Sequence, residues 1–224
     1  MKAALKCVAL ILLAAHAASA QDVKIVRRGP FEYIEFPFAY VQRSAIWPQR
    51  KIPVCWENPS DGDAVRRDSV RDAVSKTWET VSPIRFTGWA KCEANSQGIR
   101  VRIVDGLPLA EVLGRYLDAR PNGMILNFGF KNWGRDYCQD KLDFCIRTVA
   151  VHEFGHALGF AHEQNRPDTP TECTAEKSGP YGDWRPTEYD LTSVMNYCNP
   201  KWIGDGKLSD NDIKAVRLMY PEKP

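Results

Sequence analysis

All but one of the histidines fall within eleven residues. The chain holds four: His16 near its start, and His152, His156 and His162. The last three stand in the segment His152-Glu153-Phe154-Gly155-His156-Ala157-Leu158-Gly159-Phe160-Ala161-His162-Glu163. A chain using histidine for packing or for its surface would scatter them. Positions 152 and 156 share one helix face a turn apart, so the spacing calls for a helix, predicted over Thr148 to Leu158. Gly159 ends it through the positive-φ conformation that glycine adopts without steric cost. The turn brings His162 back toward the same point. Three neutral imidazoles on one ion leave a fourth position open, the arrangement of a catalytic rather than a structural zinc. Glu153 points in a different helical direction from His152. It reaches a water on the open side of such an ion without binding the ion, and suits a general base. H-E-x-x-H alone is a moderate signal; Gly159 and His162 sharpen it, because each has a separate geometric task. The plainer reading, a helix carrying surface histidines, leaves that regularity unexplained.

The first twenty residues read as a secretory signal peptide. Lys2 and Lys6 supply the positive start, Cys7 to Ala15 an uncharged apolar run, and Ala18-Ser19-Ala20 a small-x-small cleavage signature. The run is too short to span a bilayer, so a secreted protein with no membrane attachment after signal removal is expected. Without Lys2 and Lys6, 28 basic residues face 28 acidic ones, which argues against nucleic acid as a partner. Six cysteines remain: Cys55, Cys92, Cys138, Cys145, Cys173 and Cys198. An even number in an exported chain reads as a disulfide framework, and chain order suggests Cys55–Cys92, Cys138–Cys145 and Cys173–Cys198. No C-x-x-C spacing supports a cysteine metal site.

Residues 21–44 read as a short pre-segment, a propeptide candidate with basic cleavage points at Arg27-Arg28 and Arg43; residues 45–224 form the catalytic domain. Ile52 to Trp56 is a predicted strand, with Pro53 pointing to an edge or a strand start. Val70, Val74, Trp78 and Val81 predict a helix from about Asp63 to Val81. Ile84 to Thr87 and Ile99 to Val104 alternate as strands, and Met124 to Phe128 follows the Asn122-Gly123 turn signal. Pro108 to Arg120 is ambiguous, with a short helix one reading. The stretch 163–207 is loop-rich. Ser209 and Asp212 form a capping-box-like pair for a last helix from about Asp210 to Met219.

Downstream lies Ser193-Val194-Met195-Asn196-Tyr197. Together with His152 to His162 it resembles the metzincin metallopeptidases, and Glu163-Gln164-Asn165-Arg166-Pro167-Asp168 is similar to the astacin branch. Trp47-Pro48 and Ile52-Pro53 resemble the astacin domain entrance. The resemblance implies an α+β fold. A mixed twisted β-sheet and the active-site helix would form an N-terminal lobe, and a loop-rich C-terminal lobe would end in a helix, with a cleft between them. It implies one zinc ion on His152, His156 and His162, and Met195 as the Met-turn beneath the imidazoles. Tyr197 would stabilise the oxyanion, and Glu163 would anchor an N-terminus or a loop. Met124 to Phe128 resembles the cleft-edge strand, against which a protein or peptide substrate would lie extended; an interior strand is the alternative. Trp184 and Trp202 line the substrate groove on one reading and pack the core on the other.

The function implied is secreted, zinc-dependent hydrolysis of peptide bonds. A matrixin-like peptidase keeps the same chemistry. A catalytically silent metzincin-like protein-binding module would be expected to have lost a ligand or the glutamate, and none is missing. One open three-histidine site is poor equipment for zinc scavenging.

Overall fold

The computed structural model describes residues 24–28, 31–35, 39–134 and 136–222. The predicted signal peptide lies outside them. The chain divides into two compact units, Met1–Phe36 and Pro37–Pro224. In the first, β1 (Lys24–Arg28) and β2 (Phe31–Glu35) form an antiparallel pair.

The second unit is built on five strands: β3 (Lys51–Trp56), β4 (Arg85–Lys91), β5 (Ile99–Ile103), β6 (Leu109–Ala110) and β7 (Met124–Leu126). Their order is β4-β3-β5-β7-β6, parallel except for β6. This α+β architecture is the one the sequence implies, with two strands in other places than expected. Met124 to Leu126 is an interior strand, and the two-residue β6 covers it as the edge. So the edge strand beside it falls in the stretch 108–120, where the signal was weakest. Its only helical piece there is a 3-10 turn, Gly114–Leu117. Likewise β3 lies between β4 and β5, although Pro53 suggested an edge. Pro53 is tolerated because the β3–β5 ladder begins only at Val54, opposite Ile99.

Helix α1 (Ala64–Lys76) buries Val70, Ala73 and Val74, and α2 (Trp78–Val81) follows at once. The sequence predicts one helix over this span. The chain breaks at Thr77, whose hydroxyl donates to the carbonyls of Ala73 and Val74 at 2.8 and 3.3 Å. Helix α3 (Leu142–Leu158) starts six residues before the predicted Thr148. Every residue from Thr148 to Leu158 is buried, so this helix runs through the core instead of along its surface. Phe86 packs edge-on against Phe154 at 4.9 Å between ring centroids, and the Trp78 indole donates to the Val151 carbonyl at 2.9 Å.

Beyond His162 the chain makes only 3-10 turns until α4 (Asp210–Met219). Three disulfides, Cys55–Cys92, Cys138–Cys145 and Cys173–Cys198, follow the order-based pairing. Residues 39–44 pack within the second unit. Val41 bridges to both Phe160 and Trp184, and Gln42 donates to the Gly159 carbonyl at 3.0 Å. Among the described residues no helix is long and apolar enough to cross a membrane.

Candidate metal centre

Gly159 terminates α3 at φ 108°, and its amide donates back to Gly155 and His156. The chain then returns through Phe160 and Ala161, and His162 faces the helix. The Nε2 atoms of His152 and His162 are 3.2 Å apart, and those of His156 and His162 are 3.1 Å apart. All three rings are buried.

The other ring nitrogens fix the tautomers. Nδ1 of His152 meets the Val194 carbonyl at 2.7 Å, that of His156 the Phe160 carbonyl at 2.7 Å, and that of His162 the Ser178 carbonyl at 2.8 Å. A carbonyl only accepts, so each Nδ1 carries the proton and each Nε2 presents a lone pair. Burial lowers all three imidazole pKa values, that of His152 to about 3, and His162 adds repulsion at the other two. Three lone pairs converge, and protonating a ring to separate them is opposed. A tetrahedral zinc with bonds of roughly 2.05 Å places its nitrogen ligands about 3.3 Å apart. The three side chains therefore fit that ion, with potential ligand atoms all within 4.8 Å of one another.

Glu153 lies beside them, 3 % exposed. The Ala110 main chain of β6 hydrogen-bonds its carboxylate, while burial pushes its pKa up to about 8. Its Oε2 is buried without a hydrogen-bond partner among the described residues. A buried carboxylate oxygen left bare beside three histidines that could hold a metal is suited to hold a water on the open side of such an ion.

Met195 is 1 % exposed, its sulfur against Gly155 between His152 and His156 and its amide donating to Ser193 Oγ at 2.9 Å. Ser193 Oγ in turn donates to Asp212 at 2.6 Å, and Asp212 also receives the amides of Val194 at 3.0 Å and Ser209 at 2.9 Å. The α4 capping box thus also holds the turn under the metal site. The Tyr197 ring stacks on His152 at 5.4 Å between centroids and lies tilted against His162 at 4.3 Å. Although 42 % of the residue is exposed, burial at its hydroxyl, then Glu153, raises its pKa. Glu163 is buried: it accepts from the Asp190 amide at 3.0 Å and pairs with Arg166 at 3.3 Å. Burial raises its pKa to about 8 against the pull of Arg166.

A pocket of about 250 Å³ opens beside His152 and Glu153, lined by Leu107, Pro108, Trp133, Val149, Tyr197 and Trp202 among others. Of the two tryptophans weighed from sequence, Trp202 lines it, while Trp184 packs against the core under Arg43. Trp133 had no sequence signal; it arrives on the loop before the Cys138–Cys145 disulfide. A larger groove of about 780 Å³ around Arg50, Arg85 and Arg217 shares no residue with the histidine site.

The fold and this site resemble those of astacin-type metallopeptidases. The profile of the astacin peptidase family matches residues 137–178. Nematocyst expressed protein 6 of Nematostella vectensis is 23% identical over 241 residues, covering 89% of this chain and 75% of that protein. The structure of myroilysin superposes with a TM-score of 0.57 at 23% identity, covering 83% of this chain and 100% of that one. High choriolytic enzyme 1, a hatching enzyme zinc-protease of Oryzias latipes, gives 0.51 at 19% identity, covering 80% and 96%. At these identities the likeness to the two structures is one of fold.

Proposed function

We propose that the protein is an exported zinc endopeptidase. The observation that carries this reading is the convergence of three imidazole lone pairs beside the bare, buried Oε2 of Glu153. His152, His156 and His162 would hold one zinc ion, which when bound polarises a carbonyl and makes water acidic near neutral pH. Glu153 takes a proton from the attacking water and returns it to the leaving amine. Tyr197 donates a hydrogen bond to the developing oxyanion. Met195 supports the rings from below, and Glu163 holds the 163–190 loop in place. The substrate lies extended along β6, and a side chain enters the largely apolar pocket between Trp133 and Trp202.

Residues 1–20 are removed on export, and the following stretch is a pre-segment. The part from Ala39 to Ser44 stays with the catalytic unit, because its main chain bonds to Gly159, Ala161 and Trp184.

The test is hydrolysis of casein by the purified, activated protein, with and without a chelator, beside Glu153→Ala. The expected result is one zinc per chain, activity lost to the chelator, and a Glu153→Ala variant that keeps zinc and loses about 10²–10⁴ in rate. Zinc retained without parent activity on any protein or peptide would favour the binding-module reading.

A further inference from the structure

Each of the three ring protons is held by a carbonyl from a different segment, and two of those carbonyls are themselves fixed by the fold. Phe160 is pinned by its amide bond to Gly155 at 3.1 Å and by the bridge to Val41. Val194 is pinned by Asp212. Ser178, the acceptor for His162, lies in no helix or strand. Among the described residues its main chain is held, besides the His162 ring itself, by one side chain, Asn165. Ser178 N donates to Asn165 Oδ1 at 2.9 Å, and Asn165 Nδ2 donates to the Ser178 carbonyl at 2.6 Å and to the Pro180 carbonyl at 3.1 Å.

Resting on the reading of the triad as a metal site, we propose that Asn165 is a positioning residue for the third ligand: it clamps the 176–180 strap so that Ser178 fixes the His162 ring. Asn165 is 2 % exposed and sits in the 3-10 turn Glu163–Asn165 that begins directly after His162. Its amide donates to the His162 carbonyl at 3.1 Å, so clamp and ligand share one rigid turn. The amide orientation is set by its partners, since an N–H needs Oδ1 and a carbonyl needs Nδ2. Gln164 extends the clamp. Its side chain accepts from the Tyr197 amide at 3.0 Å and donates to the Glu176 carbonyl at 3.2 Å. The strap then passes close along the ring. Gly179, at φ +72°, leaves only 3.4 Å between an added Cβ and the His162 ring. Without Asn165 the Ser178 carbonyl is free to turn, and His162 loses the acceptor that sets its tautomer and orientation.

The experiment is zinc titration of the full chain against a chromophoric chelator, with the visible spectrum of the cobalt-substituted protein as a second readout. Asn165→Ala is expected to raise the zinc Kd about 10–100-fold and to shift the cobalt bands. Asn58→Ala is the control. Asn58 clamps the Ile103 main chain in the same bidentate way, at 2.9 Å for both bonds, in the sheet and away from the metal site. It is expected to leave zinc affinity unchanged. If the alanine variant does not fold, Asn165→Ser, too short to span Ser178, carries the test. A folded variant of either kind that binds zinc like the parent overturns the clamp and leaves the metal site standing. A parent that binds no zinc overturns both.

Discussion

Gly155 lies between His152 and His156 in the last turn of α3, where alanine would ordinarily still be the better residue. Replacing an interior helical glycine by alanine gains about 1 kcal/mol. Here a Cβ would stand 2.4 Å from Met195 Sδ and 3.2 Å from both Met195 Cε and Trp78 Cζ2. Met195 and Trp78 are 1 % and 0 % exposed, so neither swings into solvent. Non-bonded heavy atoms prefer roughly 3.5–4.0 Å, and the sulfur must therefore yield by about 1 Å or more. Overpacking of that kind costs about 1–3 kcal/mol, which leaves Gly155→Ala destabilising by up to about 2 kcal/mol after the propensity gain. For a unit of this size that lowers the Tm by up to about 8 °C. The decisive measurement is a double-mutant cycle by urea unfolding. Met195→Ala alone costs about 2–5 kcal/mol as a core truncation. In that background the added methyl meets no sulfur, and Gly155→Ala becomes stabilising by up to about 1 kcal/mol. The reasoning is refuted if Gly155→Ala stabilises the parent, or destabilises both backgrounds equally.

Tyr197→Phe is expected to lower kcat by about 10²–10³ with KM and Tm unchanged; an unaltered kcat in steady-state kinetics would remove the phenol from the reaction. Arg166→Met removes a fully buried guanidinium from Asp168, the Thr187 carbonyl and Glu163 and is expected to cost about 3–5 kcal/mol in urea unfolding. Asp212→Ala leaves Ser193 Oγ and the amides of Val194 and Ser209 without their acceptor, and at about 1–3 kcal/mol each it should lose at least about 3 kcal/mol. Zinc at 1,000 times its Kd is expected to stabilise the protein by about 4 kcal/mol over the chelated form; calorimetry showing equal Tm values would contradict ligation by the folded triad.

The convergence of the three histidines was legible because its spacing is local. Positions 152, 156 and 159 sit on one helix and its cap, and His162 needs only one turn more. The Ser209–Asp212 box was equally local, although its grip on Ser193 and Val194 was not. What stayed hidden depends on contacts between distant segments. β6 is two residues long, and its edge position follows from pairing with β7, which no window of sequence contains. The break at Thr77 came from a side-chain hydroxyl competing for helix carbonyls, while the apolar period ran on through Trp78 and Val81. Trp133 reaches the pocket because a disulfide seven residues in span ties Cys138 to α3, and that placement has no periodic signature. Asn165 read simply as part of a family-like string. Its partner lies 13 residues away in an irregular strap.

The three anchoring carbonyls also explain how a lobe with little regular structure is kept in register. Between His162 and α4 the chain holds only 3-10 turns, the Cys173–Cys198 disulfide and buried polar bonds. Yet two of the three carbonyls, Val194 and Ser178, come from that lobe, while Phe160 follows the end of α3. The His162 lone pair, 3.2 Å from that of His152 and 3.1 Å from that of His156, repels both, and burial opposes relieving that by protonation. A cation between them removes the repulsion and draws each ring, with its carbonyl, toward one point. An ion held there would cross-link the end of the buried helix, through the ring protons, to the Val194 and Ser178 carbonyls of the loop-rich lobe.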